Sequence, residues 1–418
     1  MSDPGAVVEH LFRHEAGRLT ALLVRVLGPG RIDEAEELVQ ETLATALQRW
    51  RFGELPDNPA AWLTRCARNL AIDVVRRRST AARLERDVAD AFRARAAVEH
   101  VEACFADEIG DEALRLMFSC CGPRLPAPAQ VAVVLKTLSG FSVPEIAHAL
   151  LVSPSAVERR ISRGKAALRE RGLYAIERAA DLEERLGVVQ RTIYLIFNEG
   201  YHGAHPDAAI RQELCGEALR LAGLLVAHPV TGTPGTHALM ALLCLLAARL
   251  PARVDGEGEL LALREQERAR WSPELTELGF RHLGASASGE GLTPYHLEAA
   301  IAATHASAER FERTDWRRIV GLYDALVALA DGPVTRLNRA IAVGQADGPV
   351  AGLEALAEVG ALPAYPFLPA ARAGFLEALG HVEEARESWA EATRLARSTA
   401  ERRFFERRLR ESRPEREG

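Results

Sequence analysis

Apolar residues recur at three- and four-residue intervals along nearly the whole chain, and no convincing run of alternating, β-branched residues bounded by turns interrupts them. This pattern predicts an all-α, multidomain fold. In "NPAAWLTRCARNLAIDVVRRR", Asn58 is a good N-cap and Pro59 suits the first helical position, where a missing N–H is harmless. Trp62, Leu63, Cys66, Leu70 and Val74 then form the buried stripe. Arg65, Arg68, Asn69, Ile72, Asp73 and Arg76 form the opposite one, with Arg77 and Arg78 next in the chain. One face suits a core and the other an anion.

The preceding helix, Asp33 to Trp50, gathers Asp33, Glu34, Glu36, Glu37 and Glu41 in its first turns, above a predicted buried stripe of Ala35, Leu38, Val39, Thr42, Ala46 and Leu47. Acidic residues favour a helix N-terminus on electrostatic grounds alone. Such a face repels DNA, so a protein surface is its expected target. Further on stands "FSVPEIAHALLVSPSAVERRISRGKAALRER". Ser142 and Glu145 predict a capping box. Ile146, Ala147 and Leu150 face inward, Leu151 and Val152 make a turn, and Ser153 with Pro154 starts a second helix. Val157, Ile161 and Leu168 form its buried side, leaving Ser155, Glu158, Arg159, Ser162 and Arg163 outward. A short helix, a tight turn and a basic second helix predict a helix-turn-helix.

The remaining chain reads as a larger helical region. "ALMALLCLLAA", from Ala238, is too short to cross a bilayer and predicts a buried helix. "ADGPVAGLEALAEV" and "LGHVEEARESWAEA" each set a Gly turn before a helix, at a spacing close to tetratricopeptide hairpins, with Gly380, Ala385, Trp389 and Ala392 at its small and bulky positions. In "YLIFNEGYHGAHPD", Gly200 reads as a helix C-cap and Tyr194, Phe197 and Tyr201 as packing residues.

Composition adds bounds. The 418 residues allow roughly two to four domains. The chain is acidic overall, with 52 Lys+Arg against 58 Asp+Glu, and its only lysines are Lys136 and Lys165. Codon bias of a GC-rich genome would produce such arginine richness, so only the clustering of arginines is informative. Cys66, Cys104, Cys120, Cys121, Cys215 and Cys244 lack CxxC spacing and read as thiols of a reducing cytosol. His202 and His205 near Asp207 lack a third ligand at a suitable spacing. No nucleophile–base pair, phosphate-binding glycine loop or apolar signal core is evident. The expectations are therefore no enzymatic activity, no cofactor, no metal, no membrane and a cytoplasmic location.

An acidic "DEAEELVQET" helix, the basic helix, a linker and a helix-turn-helix, in that order, resemble the extracytoplasmic-function sigma factors of bacterial RNA polymerase. The rest resembles the C-terminal extension of one subgroup. The resemblance implies region two over 1–78, a linker over 79–107, region four over 108–175 and a tetratricopeptide-like extension over 176–418. It implies that Asp33, Glu36, Glu37, Gln40 and Glu41 dock on core polymerase. The loop from Arg51 to Asp57 would hold a flipped minus-ten base, with Arg65, Arg68, Asn69, Arg76 and Arg77 along the nearby strand. Ser155, Arg159, Ser162 and Arg163 would read the minus-thirty-five element. The partners implied are core RNA polymerase and promoter DNA, with the extension contacting the sigma blocks in cis and setting their activity. Two other classes stand beside this reading: a helix-turn-helix regulator with a helical-repeat sensor, and a helical scaffold with no DNA role.

Overall fold

The computed structural model describes residues 4–28, 31–52, 56, 58–83, 112–122, 125–171, 179–202, 210–289, 291–362 and 364–412. Most of the 79–107 linker, most of the 51–57 loop, and His205 and Asp207 lie outside them. Among the described residues the regular structure is helical, apart from one isolated antiparallel bridge between Val254 and Leu260. The chain forms two compact units, Met1–Ile193 and Tyr194–Gly418.

In the first unit, α1 (Pro4–Leu27), α2 (Ile32–Phe52) and α3 (Pro59–Arg83) pack on one another. Leu19, Leu23, Ile32, Ala35, Leu63, Ala67 and Ala71 are fully buried at their centre. The start of α3 is as expected: the Asn58 side chain accepts from the Ala61 N–H at 3.0 Å. Its buried line differs. It runs through Leu63, Ala67 and Ala71 and includes Ile72, which was expected outward. Residues four apart share one helix face, and alanines at Ala67 and Ala71 let that face lie close to α1 and α2. Trp62 is half-buried, edge-on to Trp50 with ring centroids 5.4 Å apart. On α2 the expected stripe holds except at its end, where Leu47 is 50% exposed.

A second group follows, comprising α4 (Glu112–Cys120), α5 (Ala127–Thr137), α6 (Val143–Ala149) and α7 (Pro154–Arg171). The capping box of α6 is formed: Ser142 N–H donates to Glu145 Oε2 at 2.6 Å, and Glu145 N–H to Ser142 Oγ at 3.3 Å. Helix α7 packs on α5 and α6. The turn between α6 and α7 places Leu151 in the left-handed region, at φ 51°, with its side chain in solvent. A buried glycine on α7, Gly164, faces Val133 so closely that a Cβ there would lie 2.4 Å from Val133 Cγ2. Gly164 therefore sets how near α7 comes to α5.

The second unit takes in the end of α8 (Ala179–His202), then α9 (Gln212–Ala227), α10 (Pro234–Ala247), α11 (Pro273–Ser286) and α12 (Pro294–Ala306). The apolar run forms α10, and Ala238 to Leu245 are buried among α9, α11 and α12. The stretch Pro234–Ala252 is apolar and long enough to cross a membrane, but it is mostly covered by these neighbours. The consecutive helices α13 (Trp316–Leu329), α14 (Pro333–Asp347), α15 (Pro349–Ala357), α16 (Phe367–Ala378), α17 (Val382–Leu395) and α18 (Thr399–Glu411) each pack on the next. Gly348 and Gly380 take φ of 99° and 78° before α15 and α17, conformations that side chains disfavour. Ala385, Trp389 and Ala392 are buried on one side of α17.

Gly200 is not the C-cap expected, because α8 continues to His202. It is instead a close-approach position. A Cβ there would meet the Arg211 carbonyl oxygen at 2.8 Å and Cys215 N at 2.9 Å. The Arg211 N–H bonds the Gly200 carbonyl at 2.8 Å, so the returning chain crosses α8 at this point. Beside it, Glu199 and Arg211 form a buried ion pair at 3.0 Å. Phe197 and Tyr201 stack with centroids 5.5 Å apart.

Candidate nucleic-acid interface

Helix α7 presents Ser155, Glu158, Arg159, Ser162 and Arg163 to solvent, while Val157 and Leu168 are fully buried on its other side. The outward row is what a helix needs to lie in a major groove, where arginine and serine side chains reach base edges and phosphates. Its geometry comes from local causes: the Ser153 hydroxyl accepts from the Ala156 N–H at 3.3 Å to start the helix, and Gly164 seats it on α5.

On α3, Arg65, Asn69, Arg76 and Arg77 are exposed and Arg68 is half-buried. Asp73 is also exposed on this helix. The face thus carries a concentrated positive charge in an otherwise acidic chain, the electrostatic footprint of phosphate binding.

The acidic face of α2 is divided. Glu37, Gln40 and Glu41 are exposed. Glu36, expected outward, is instead held by the helix-turn-helix group. It accepts from Lys165 Nζ at 2.5 Å and from the Thr137 hydroxyl at 2.9 Å. Asp33 lies 3.3 Å from Lys165 Nζ and 3.4 Å from Arg169 Nη1. Lys165 and Glu36 are 129 positions apart, so spacing along the chain gives no hint of the pair. The available signal is that Lys165 is one of two lysines in an arginine-rich chain.

A second contact joins the same groups. Gly17 on α1 packs against the Leu138 backbone, and a Cβ there would fall 1.9 Å from the Leu138 carbonyl oxygen. Gly17→Ala is expected to destabilise this closed arrangement by roughly 1–3 kcal/mol through overpacking. Thermal unfolding of the full chain reads the effect, and an unchanged midpoint would show that the two groups do not need this contact.

Comparison with known proteins agrees with this geometry. Residues 11–81 match sigma-70 region 2, and residues 115–168 match sigma-70 region 4. The chain belongs to the sigma-70 family. Residues 185–287 of this sigma factor match a family of unknown function, DUF6596. An uncharacterized protein of Rhizobium meliloti is 39% identical over 379 residues, covering 88% of each chain. The ECF RNA polymerase sigma factor SigE of Mycolicibacterium smegmatis is 32% identical over 163 residues, which is 39% of this chain and 60% of that protein. No solved structure matches. The helix-turn-helix of the structure is thus region 4, and α1 to α3 belong to region 2. As a sigma factor the protein binds core RNA polymerase and promoter DNA.

Proposed function

We propose that this sigma factor divides its work among three surfaces and that its C-terminal unit controls them in cis. Glu37, Gln40 and Glu41, joined by Asp33 and Glu36, dock on core polymerase. The α3 face, with Arg65, Arg68, Asn69, Arg76 and Arg77, follows the opened strand at the minus-ten element. Ser155, Arg159, Ser162 and Arg163 read the minus-thirty-five element as duplex. The exposed, one-sided row on α7 carries this reading, because a helix with Val157 and Leu168 buried can offer only that row to a groove. The protein acts in the cytoplasm and performs no catalysis of its own.

The pairs from Lys165 and Arg169 to α2 add a condition. They occupy part of the docking face, so we take the closed arrangement to be a resting state that core polymerase must open. The C-terminal unit bears on the same equilibrium. It is folded and larger than either sigma region, and being fused it has a high effective concentration for its neighbours. A tetratricopeptide-like surface suits the binding of protein segments. The deciding experiment mixes purified protein with core polymerase and asks for promoter-specific transcripts, for the full chain and for a chain ending after Ile193, where the first compact unit ends. Higher activity of the truncated form means restraint, and lost activity of a folded truncated form means a positive role. Equal transcription from both would overturn control by the extension. No promoter-specific transcripts from either would overturn the three-surface assignment.

The two DNA surfaces are separable. Arg76→Ala with Arg77→Ala is expected to reduce open-complex formation and to flatten its salt dependence, by about 0.7 in the log–log slope for each single-strand phosphate that is no longer neutralised. Arg159→Ala is expected to act through the upstream element, costing about 1–3 kcal/mol of discrimination there and little on a promoter lacking that element. Footprinting and transcription on paired promoters measure both. Identical responses to loss of the upstream element would refute the division.

A further inference from the structure

Several buried or half-buried arginines of the second unit are matched to a carboxylate. Arg211 pairs with Glu199, Arg397 with Glu401, Arg407 with Glu265 and Arg408 with Glu377. Half-buried Arg249 and buried Arg253 differ from these. They stand one helical turn apart just after α10. Among the described residues no carboxylate lies within ion-pair distance of either. Arg253 is 8% exposed, its guanidinium carbon sits 3.7 Å from the centroid of the Tyr201 ring, and its buried Nε has no hydrogen-bond partner. Arg249 donates only to the neutral Gln266 Oε1, at 3.3 Å, and lies over the Trp271 ring. A third guanidinium, Arg268, stacks on Trp271 at 4.2 Å and donates to the His305 carbonyl.

Arg249 and Arg253 are not enclosed in protein. Arg249, Arg253 and Gln266 line a cleft of 230 Å³. Its apolar walls include Leu260, Leu261, Phe367, Phe404 and Phe405. Glu401 also lines the cleft, but its carboxylate is committed to Arg397, accepting from both the Arg397 guanidinium and its backbone N–H. The volume is below the ~300–1,000 Å³ of pockets for drug-sized ligands. It suits a small molecule.

We infer that this cleft is a binding site for a small organic anion, whose phosphate or carboxylate group sits against Arg253 and Arg249 and whose apolar part packs on the phenylalanine wall. An unpaired buried cation is costly unless something completes it. Here the cations sit at an open cleft, where a diffusible anion can do so. The surrounding titrations report the same field. Burial pushes the Tyr201 phenol up, yet the Arg249 and Arg253 charges, together with hydrogen bonding to the Arg253 side chain, outweigh burial and hold it below its usual value. Burial, with Arg249 and Arg268 beside it, pushes His305 down to about 3. The arginines and Tyr201 fall within residues 185–287, the segment matching the family of unknown function. The inference does not depend on what the extension does to transcription.

The test is thermal unfolding of the full-length protein with inorganic phosphate, acetate, phenyl phosphate and benzoate, each against chloride at equal ionic strength. Ligands that bind only the folded state raise the midpoint in a saturable way. Wild type is expected to show such a rise, with the phenyl-bearing anions acting at least about tenfold more tightly than their inorganic or methyl counterparts. A response confined to the phosphates, or to the carboxylates, names the group the site prefers. Arg253→Met is expected to lose the response and, without anion, to melt no lower than wild type, since it removes an unpaired buried charge. Gln266→Glu supplies Arg249 with an internal carboxylate and is expected to raise the anion-free midpoint while weakening the response at least about tenfold. The inference fails if none of the four anions gives a saturable shift in wild type. It also fails if either folded variant responds as wild type does.

Discussion

Reversing Glu36 and Glu37 to Lys is expected to remove binding to core polymerase, by more than about a hundredfold, while the chain stays folded. Placing like charges against a complementary patch costs several kcal/mol at an interface. The two positions differ in a way that makes the experiment informative. Glu37 is exposed, so Glu37→Lys tests docking alone. Glu36 is bound to Lys165 and Thr137, so Glu36→Lys also sets two lysines against each other and opens the unit. Lys165→Ala is the control. It frees Glu36 without changing the docking face, and it is expected to strengthen polymerase binding two- to threefold, in line with a partly screened pair worth up to about 1 kcal/mol. Co-purification and equilibrium titration with core polymerase measure all three. Equal binding by the double reversal and wild type would end the docking assignment, and weaker binding by Lys165→Ala would end the resting-state reading.

Breaking the Glu199–Arg211 pair is expected to have the largest effect on stability. Both side chains are almost fully buried, at 2% and 5% exposure. Removing one partner of such a pair leaves a buried charge uncompensated and costs about 3–5 kcal/mol, a large share of the 5–15 kcal/mol that holds a typical domain. Glu199→Gln should therefore unfold the C-terminal unit at much lower urea and leave the first unit's transition in place. Replacing both, Glu199→Leu with Arg211→Met, should recover most of the loss, because two apolar groups of similar size leave no charge behind. Urea unfolding followed by circular dichroism checks both. A Glu199→Gln chain as stable as wild type would mean that the pair is not needed to close the loop between α8 and α9.

What the sequence alone determined is what depends on neighbours in the chain. Helix starts at Asn58, Ser142 and Ser153 follow from side chains that reach their own backbone within three residues, and all three are formed. The outward row of α7 follows from the 3.6-residue period, and each of Ser155, Arg159, Ser162 and Arg163 lies where that period puts it. The acidic and basic helices were legible for the same reason, as was the buried course of α10. Periodicity failed where helices meet. It placed Ile72 outward and Leu47 inward, because the stripe that is buried depends on which small residues the neighbouring helix can approach. It read Gly200 as a terminus, when the glycine is there to let another segment cross. Long-range charge pairing was beyond it altogether. Only the folded chain brings Lys165 to Glu36, or leaves Arg249 and Arg253 beside a cleft without carboxylate partners among the described residues. Such pairs depend on distance in space, and a one-dimensional pattern carries distance only over a turn or two of helix.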